Sequence, residues 1–562
     1  MASFASSLSP VPAFPDYTGP FKVGTIDVEI AVSDLVSPSP APDGAADIHT
    51  VLFRIFYPAV PQSQRQRVPW LPTPQRLHVA AYAQFLGAGS TLASVLSFFP
   101  RHLHWTSIPA YKNAALLPVP SDRPTSRWPT MIFSHGLGGN RNAYSHLAGS
   151  LASYGVVVVC PEHRDGSAAL SLVRDPKNPH ERDARKLVPC IRIPIARTPA
   201  TWAARDKQLR IRLWELGLVY EALSAIDRGH APTLQANLNT STPAPALSQF
   251  TNALDILEPG HLIFSGHSFG AASVVQLLKS TFYANHPSVS AMPNPLFTPS
   301  NPASSLTKQI TPATPTILLD MWCFPLLSAN STPLYNLPLP CYATPHTRTR
   351  PPALLAIESA AFVAWSDNLH AKARILSPAP ASITDAIAET VFTEGEEKKV
   401  EKPHFFYVAS SAHINQSDFG VLFPWLTKKV FKAERPERVL RLNVRGQLQF
   451  LRERGVRVEG TRAVDLVDGG HPEVIKGLKG RGKRPVEEET GVEDDGVVLT
   501  RGKKGGVEAW EWIDLVGLGG KAAVREVEME AKGEGKVVVE KEVVEEGVEV
   551  TLEAAEGGVE GK

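Results

Sequence analysis

A serine at position 268 has the neighbours that nucleophilic catalysis requires. It lies in GHSFG, between the apolar run HLIFS and the helical segment AASVVQLL. The pattern G-x-S-x-G is typical of a tight strand-to-helix turn that exposes the serine, at a place where side chains larger than glycine would clash. A serine hydroxyl attacks an acyl group only when a base removes its proton. The segment therefore predicts Ser268 as the nucleophile of an acyl-transfer reaction.

The base is expected after the nucleophile, because folds that use this turn place serine, acid and histidine in that order along the chain. His413 meets this requirement: it lies in the small, polar turn SSAHINQSDF, directly after the apolar run HFFYVAS. Other histidines are predicted to have no catalytic part, with a structural role for His135 and solvated surface positions for His346, His370 and His404.

Two carboxylates compete for the position that orients the imidazole. Asp320 ends the apolar run TPTILLD, whereas Glu358 lies near the end of the next run, PALLAIES. Many hydrolases with this order carry the acid one strand later, which favours Glu358; Asp367 is a weaker third candidate. The residues alone leave Asp320 and Glu358 open.

Attack on an acyl group creates an oxyanion, and two backbone N–H groups are expected to stabilise it. One belongs to the residue after the nucleophile, Phe269. The other is expected in a glycine-rich turn after an earlier strand, and SHGLGGN at 134–140 is the segment placed for this. Within it we predict Leu137, while a glycine turn needed only for packing is the alternative.

The elements that must position these residues follow a strand–helix–strand pattern. The runs PTMIFSHG and VVVVCPEHRD are continuous apolar strands separated by the helical RNAYSHLAGSLASYG, and a long helix is predicted at about 201–228. The first hundred residues favour antiparallel strands. Continuous apolar strands are typical of a parallel sheet covered on both faces. The sequence thus predicts an α/β-hydrolase fold, with a mostly parallel central sheet and helices on both faces.

Composition predicts three parts of the chain. Residues 1–17 are an N-terminal extension, and residues 18–470 are the catalytic domain, with Pro- and Ser-rich surface insertions at about 229–255 and 281–314. Residues 471–562 are rich in Gly, Glu, Lys and Val and are predicted to be a disordered tail, although an added strand is an alternative.

The whole-chain numbers limit partners and cofactors. A formal net charge of +1 gives no general attraction to nucleic acid, and four cysteines without CxxC spacing argue against a zinc site or a disulfide framework. No metal or cofactor is predicted. The N-terminus lacks a secretory pattern, so a cytoplasmic location is expected, with peripheral contact to membranes.

Two segments are apolar enough to meet lipid. The stretch 78–100 is diluted by polar and small residues, so a buried or interfacial helix is predicted rather than a membrane span. The segment VLFPWLTKKVF, residues 421–431, has the composition of an interfacial helix that contacts a lipid surface. A core-packed amphipathic helix is an equally good interpretation of the same residues.

Taken together, FSHGLGGNRNAYSHLAGSLASYGVVVVCPEHRDGSA, GHSFGAAS, LLDMWCFPL and SSAHINQSDF resemble the platelet-activating factor acetylhydrolases, which are serine-dependent, calcium-independent phospholipases A2. The resemblance spans roughly residues 18–455. It implies hydrolysis of the sn-2 acetyl, or another short or oxidised acyl group, of a glycerophospholipid, without a metal. It also implies a site made of Ser268, Asp320 and His413, with oxyanion donors at Leu137 and Phe269.

Other functions stay open because the insertions could reshape the pocket. A broader carboxylesterase is the nearest alternative, and a non-catalytic binding protein with a hydrolase fold is a more distant one. EHRDGSA, residues 162–168, follows a strand and carries opposite charges. We expect it to form a buried or semi-buried ion-pair corner near the site.

Overall fold

The computed structural model describes residues 13–96, 101–123, 125–181, 185–301, 305–343, 351–381, 402–431, 435–466, 492, 494–500, 507, 509–513 and 515. This part of the chain contains fourteen strands: β1 (Lys22–Ala31), β2 (Thr50–Ala59), β3 (Arg67–Pro69), β4 (Ser107–Lys112), β5 (Trp128–Ser134), β6 (Val157–Pro161), β7 (Leu170–Val173), β8 (Lys186–Pro189), β9 (Leu254–Asp255), β10 (Ile263–His267), β11 (Thr316–Leu319), β12 (Leu354–Ser359), β13 (His404–Val408) and β14 (Trp510–Trp512).

The same residues contain fifteen α-helices: α1 (Gln75–Phe85), α2 (Ser90–Leu96), α3 (Arg101–Trp105), α4 (Ser145–Ser153), α5 (Pro199–Asp227), α6 (Ala231–Gln235), α7 (Phe269–Phe282), α8 (Pro287–Ser290), α9 (Ser305–Gln309), α10 (Thr332–Tyr335), α11 (Ala360–Ala364), α12 (Ser366–Ile375), α13 (Asp418–Leu422), α14 (Pro424–Phe431) and α15 (Pro436–Glu453).

The main sheet has the strand order β14-β13-β12-β11-β10-β5-β6-β2-β1-β4-β3, with β9 beside β5. The six strands from β13 to β6 are parallel to one another, whereas β2 joins β6 and β1 joins β2 in antiparallel register. Strands β7 and β8 form a separate hairpin. The predicted α/β-hydrolase fold, with an antiparallel beginning and a parallel centre, is confirmed.

The two faces of the sheet are covered by different helices. Successive side chains of a strand face opposite sides, so each central strand contributes to both cores. Ile132 and Val159 belong to the core that contains α5 and α7, and Phe133 and Val158 belong to the core that contains α4 and α15. Burial on both sides explains why these strands are continuously apolar in sequence.

The two predicted surface insertions contribute to the core, which corrects that part of the sequence interpretation. In segment 229–255, Phe250 and Leu254 are fully buried, and β9 pairs with β5. In segment 281–314, Phe297 and Ile310 are buried. Each segment is polar and proline-rich on average. The prediction was made from this average, which does not reveal the few apolar residues that anchor the segment against the sheet.

Part of the predicted disordered tail is also folded. Strand β14 pairs antiparallel with β13 at the sheet edge, and Asp495 forms a buried ion pair with Arg445 of α15, with Nε–Oδ2 at 2.9 Å. The added strand that the alternating valines allowed lies instead at Trp510–Trp512, where tryptophans provide the apolar surface. Within 471–562, the structure describes residues 492, 494–500, 507, 509–513 and 515, and the other residues lie outside the described part of the chain. The domain boundary stays a prediction.

The two lipid-directed segments form short helices in the described chain. Within 78–100 the chain forms α1 and α2, which are separated at Leu86–Gly89; residues 97–100 lie outside the described residues. No helix in the described ranges has the length and hydropathy needed to span a bilayer. Residues 421–431 lie in α13, a short connection and α14, and their predicted contact with a lipid surface stays a prediction.

Asp418 joins the end of the sheet that carries the predicted base to the beginning of α4. Its carboxylate accepts hydrogen bonds from Trp70 Nε1 (3.0 Å), from the backbone N–H and hydroxyl of Ser145 (2.9 and 2.6 Å) and from His146 N (2.9 Å). All four donors meet a carboxylate that is fully buried. This residue therefore fixes three segments that are distant in sequence.

Replacing Asp418 with alanine is expected to lower the free energy of unfolding by about 3 kcal/mol or more, because several buried donors would lose their acceptor. Urea denaturation of the full chain measures this loss. Asp47 provides a matched control, because it pairs with Lys186 at the exposed surface. Asp47→Ala should leave the urea midpoint nearly unchanged, because an exposed ion pair contributes little to stability. Equal losses in the two variants would contradict the prediction.

Candidate active site

Ser268 lies at a sharp turn between β10 and α7. Its backbone has φ 54° and ψ −120°, in the left-handed half of conformational space that non-glycine residues rarely occupy. The flanking glycines are required by contact: a Cβ on Gly266 would lie 2.6 Å from the backbone of Gly270, and a Cβ on Gly270 would lie 2.0 Å from the carbonyl oxygen of Ser134. The predicted strand–turn–helix context of GHSFG is present.

Asp320 and His413 come together at the carboxyl ends of β11 and β13. The distance from Asp320 Oδ2 to His413 Nδ1 is 3.0 Å, and Asp320 Oδ1 accepts a hydrogen bond from Ser359 N at 2.6 Å. Burial disfavours the charged carboxylate, but the hydrogen bond and charge of His413 prevail and lower the pKa of Asp320 to about 2. Asp320 is therefore ionised at neutral pH and accepts a hydrogen bond from Nδ1 of the imidazole.

The imidazole of His413 lies beside the turn that carries Ser268. Its ring centroid is 4.3 Å from that of His267, the residue before the serine, and it stacks on Phe362 at 4.0 Å with an interplanar angle of 4°. The side chain of His413 is 34% exposed, whereas Asp320 is fully buried. Within the described chain the Ser268 hydroxyl forms no hydrogen bond at 3.5 Å or less. Such contacts often shorten only when substrate binds.

The glycine-rich turn after β5 approaches Ser268 directly: a Cβ on Gly136 would lie 3.0 Å from Ser268 Cβ. Three N–H groups of this turn have partners, namely Gly136 N with Tyr144 Oη (3.1 Å), Gly138 N with Ser167 O (2.8 Å) and Gly139 N with Gly136 O (3.2 Å). Leu137 N has no hydrogen-bond partner in the described chain. Its N–H group is thus available to a ligand, whereas those of the three glycines in this turn are not.

The rival residues have other partners. Glu358 forms a fully buried ion pair with Lys372, and Asp367 pairs with Arg197 at 3.4 Å. Neither carboxylate is the hydrogen-bond partner of the His413 imidazole.

Two of the remaining histidines lie in surroundings that differ from the prediction. His370 and His404 are buried rather than solvated, and His404 Nε2 lies 2.9 Å from Glu453 Oε2. Packing of α12 and α15 against the sheet covers both, a tertiary effect that the local sequence did not indicate. His346 lies outside the described residues. His135 is buried, with Nδ1 2.8 Å from Gly136 O, consistent with the structural role predicted for it.

Sequence reasoning missed two side chains that support the site. Tyr144 Oη accepts from Gly136 N and lies 2.7 Å from His267 Nδ1, so it links the glycine turn to the nucleophile turn. Since Tyr144 Oη accepts from the backbone, its hydroxyl hydrogen is available to donate to the imidazole. The segment that contains Tyr144 was interpreted only as a helix, and no local pattern marks this residue. Lys372 was likewise hidden in a helix far from Glu358 in sequence.

Three side chains present possible metal ligands at this place. His267, Asp320 and His413 each offer one ligand atom, and these atoms lie within 4.8 Å of one another. Asp320 Oδ2 and His413 Nδ1 form a hydrogen bond to each other, and His267 Nδ1 forms one with Tyr144 Oη. These hydrogen bonds fit a proton-transfer arrangement, and the absence of a metal stays a prediction.

The predicted ion-pair corner at EHRDGSA is present and buried. Arg141 Nη1 lies 2.5 Å from Glu162 Oε2, and Arg212 Nε lies 2.8 Å from Asp165 Oδ2. Ser167 of the same segment supplies the carbonyl oxygen that accepts from Gly138 N. The corner therefore contacts the glycine turn beside the nucleophile.

Comparison with known proteins identifies relatives. Residues 7–474 match the family described as platelet-activating factor acetylhydrolase, isoform II. A Schizosaccharomyces pombe protein named "Putative phospholipase A2" is 28% identical over 459 residues, which cover 79% of this chain and 92% of that protein. The platelet-activating factor acetylhydrolase of Bos taurus is 28% identical over 225 residues, covering 40% of this chain and 46% of the relative.

The corresponding protein of Cavia porcellus is 28% identical over 267 residues, which cover 47% of this chain and 52% of the relative. The matches to these two animal proteins thus span about half of their length. Among solved structures, a ferulic acid esterase from Streptomyces cinnamoneus aligns with a TM-score of 0.41 at 14% identity, covering 78% of this chain and 91% of that one.

Proposed function

The chain belongs to the platelet-activating factor acetylhydrolase, isoform II, family and is a hydrolase of lipid carboxylic esters, and from this premise we propose that it cleaves short acyl groups from glycerophospholipids. The proposed substrate carries an acetyl, or another short or oxidised acyl group, at the sn-2 position. The products are a lyso-phospholipid and a carboxylic acid. The family match carries the choice of substrate class, and the arrangement around Ser268 supports the type of reaction.

In the proposed mechanism, His413 Nε2 removes the proton from the Ser268 hydroxyl as its oxygen attacks the acyl carbon. Asp320 holds the imidazole through Nδ1 and stabilises the imidazolium that forms. The N–H groups of Leu137 and Phe269 stabilise the oxyanion of the tetrahedral intermediate. His413 then protonates the leaving alkoxide of the lyso-phospholipid. In the second half, His413 deprotonates a water molecule that attacks the acyl carbon, and it then returns this proton to the Ser268 oxygen as the bond between that oxygen and the acyl carbon breaks and the carboxylic acid leaves.

Three observations support these assignments. The Asp320–His413 hydrogen bond of 3.0 Å lies next to the strained turn of Ser268, and this observation carries the mechanism. Leu137 N has no partner in the described chain, although its neighbouring N–H groups do. Phe269 is the first residue of α7, where backbone N–H groups have no partner within the helix.

Aromatic side chains near the nucleophile support a short acyl group. The backbone N–H of Trp322 donates to Ser268 O at 3.3 Å, and the Trp322 ring packs on Phe269 with centroids 5.8 Å apart. Phe324 stacks on Trp322 at 5.7 Å, and Trp202 stacks on Phe324 at 5.8 Å. These rings pack in series beside the nucleophile turn, and this packing is the observation that favours a short acyl group over a long one.

The proposal predicts a strong preference for a short sn-2 chain. With the purified full-length chain, kcat/KM for a phosphatidylcholine with sn-2 acetyl is expected to exceed that for sn-2 palmitoyl by about 100-fold or more, because each methylene that does not fit lowers transition-state binding. Release of free fatty acid or acetate measures both reactions. A 4-nitrophenyl acetate assay run in parallel reports activity on an ester without a phospholipid headgroup.

The same assay separates the alternative functions. Turnover of 4-nitrophenyl acetate without turnover of either phospholipid would contradict the phospholipid proposal and would leave a broader carboxylesterase. Hydrolysis of neither kind of ester would contradict the enzymatic proposal and would favour a binding protein.

A further inference from the structure

A second serine–histidine–carboxylate line lies beneath the glycine turn, away from Ser268. Ser134 Oγ is 2.9 Å from His163 Nε2, and His163 Nδ1 is 3.0 Å from Glu215 Oε2. Ser134 is the last residue of β5, His163 follows β6, and Glu215 lies in α5. The order of atoms matches that of an acyl-transfer triad, but the three residues are at most 1% exposed. No substrate reaches this serine, so the line does not act as a second catalytic site.

The protonation of this line follows from its partners. Burial lowers the pKa of His163 well below its usual range, so the imidazole is neutral and carries one N–H. Burial raises the pKa of Glu215 to about 8, and Arg164 opposes this increase, because its backbone N–H donates to Glu215 at 3.2 Å and its guanidinium lies 3.6 Å away. The neutral imidazole of His163 thus shares one hydrogen bond with Glu215 through Nδ1 and another with the Ser134 hydroxyl through Nε2.

The line is connected to the turn that contains Leu137. His163 N donates to His135 Nε2 at 3.2 Å, and His135 directly follows Ser134 in the chain. Arg212 Nη1 donates to the carbonyl oxygen of His135 at 2.8 Å. The same guanidinium lies 4.5 Å from the ring centroid of Phe269. Arg212 thus contacts both segments that carry the proposed oxyanion donors.

We propose that Ser134, His163 and Glu215, together with Arg212, are positioning residues that fix the N–H group of Leu137 toward the oxyanion. This inference rests on the proposed function, because it concerns the donors of that same reaction. Backbone donors stabilise a developing charge only when they are held in place before the reaction. A turn with several glycines has little intrinsic preference for one conformation, so its neighbours must supply the restraint.

The inference predicts a loss of kcat rather than of substrate binding. With 4-nitrophenyl acetate and the full-length chain, Ser134→Ala and Glu215→Gln are each expected to lower kcat about tenfold, with KM nearly unchanged, because a displaced donor weakens the transition state more than the ground state. Glu215→Gln keeps the size of the side chain and one oxygen acceptor. The double variant is expected to lose no more activity than one single variant, since the residues act as one unit.

Ser265 provides the matched control. It is a fully buried serine on the neighbouring strand β10, paired in register with Phe133, and its hydroxyl has no partner in the described chain. Ser265→Ala should leave kcat unchanged. Thermal unfolding of every variant shows whether it is folded under assay conditions, and Ser134→Ala, which removes a single oxygen, decides the question if Glu215→Gln does not fold.

The outcomes separate this inference from the proposed function. A wild-type chain that hydrolyses no ester contradicts the proposed function before any variant is made. An active wild-type chain whose folded Ser134→Ala variant keeps its kcat overturns the inference alone. Losses that simply multiply in the double variant would also overturn it, because independent structural defects behave in that way.

Discussion

Replacing Ser268 with alanine is expected to lower kcat/KM for a short-chain ester by about 10⁵-fold or more, which leaves only the residual catalysis of the oxyanion donors and of binding. Alanine cannot form the acyl-enzyme, and a water molecule would have to attack the substrate directly. Hydrolysis of 4-nitrophenyl acetate at concentrations well below KM measures the loss.

A phosphonate probe tests the same residue without relying on turnover. The wild-type chain is expected to gain one covalent adduct on Ser268, located by peptide mass spectrometry, and the Ser268→Ala variant is expected to gain none. Ser265→Ala serves as a control here too, because this serine lies three residues earlier and is fully buried. It should be labelled like the wild-type chain. Adduct formation on the Ser268→Ala chain at the wild-type rate would show that another residue is the nucleophile.

The strained backbone of Ser268 affects how such variants behave. Gly266 and Gly270 hold the turn, because a Cβ added to either residue would lie only 2.6 Å or 2.0 Å, respectively, from backbone atoms. Alanine at position 268 would keep the same φ of 54°, so the variant tests the hydroxyl rather than the turn. A stability close to that of the wild-type chain is therefore expected, and thermal unfolding verifies it.

The central fold could be predicted because its signals are local. Strands β5, β6 and β10 are buried on both faces, so each is a continuous apolar run that the sequence displays directly. The polar insertions were harder to interpret. A single buried side chain such as Phe250 or Phe297 is enough to anchor a proline-rich segment, and its effect disappears in an average over composition.

The edge strand β14 was missed for a related reason. It is short, and more than one hundred residues separate it from its partner Tyr407 on β13, which pairs with Glu511. Its surroundings are dominated by Gly, Glu and Lys, which are typical of unfolded segments. Long-range pairing decided the outcome, and no local pattern carries that information.

Some residues of the candidate site could likewise be predicted from local sequence, and others could not. Ser268 and His413 could be predicted because each lies in a small polar turn directly after an apolar strand. Asp320 and Glu358 could not be separated, because they lie at the ends of adjacent parallel strands and both are fully buried. What distinguishes them is Lys372, which pairs with Glu358 from a helix fourteen residues later. A lysine within an amphipathic helix gives no sign of this partner.

The different partners of Asp320 and Glu358 predict opposite effects for two variants, one on turnover and one on stability. Asp320→Asn is expected to lower kcat by about 10⁴-fold, because an amide no longer stabilises the correct tautomer or the charged form of His413. The amide oxygen can still accept from Ser359 N, so most of the stability should remain. Glu358→Gln is expected to have a smaller effect on kcat but to lower the free energy of unfolding by about 3–5 kcal/mol, because Lys372 would keep a buried charge without a counter-ion.

Activity and urea denaturation measured on both variants test the assignment of the acid. If Glu358 were the acid, its glutamine variant would lose turnover while Asp320→Asn would retain it, which is the reverse of the expected pattern. A Glu358→Gln/Lys372→Met double variant adds a control, since it removes both buried charges together. It should recover much of the stability that the single variant loses, because replacing a whole buried ion pair is far less damaging than removing one partner. Catalysis in this chain would then depend on Asp320, and the neighbouring ion pair would serve to keep the end of β12 folded beside it.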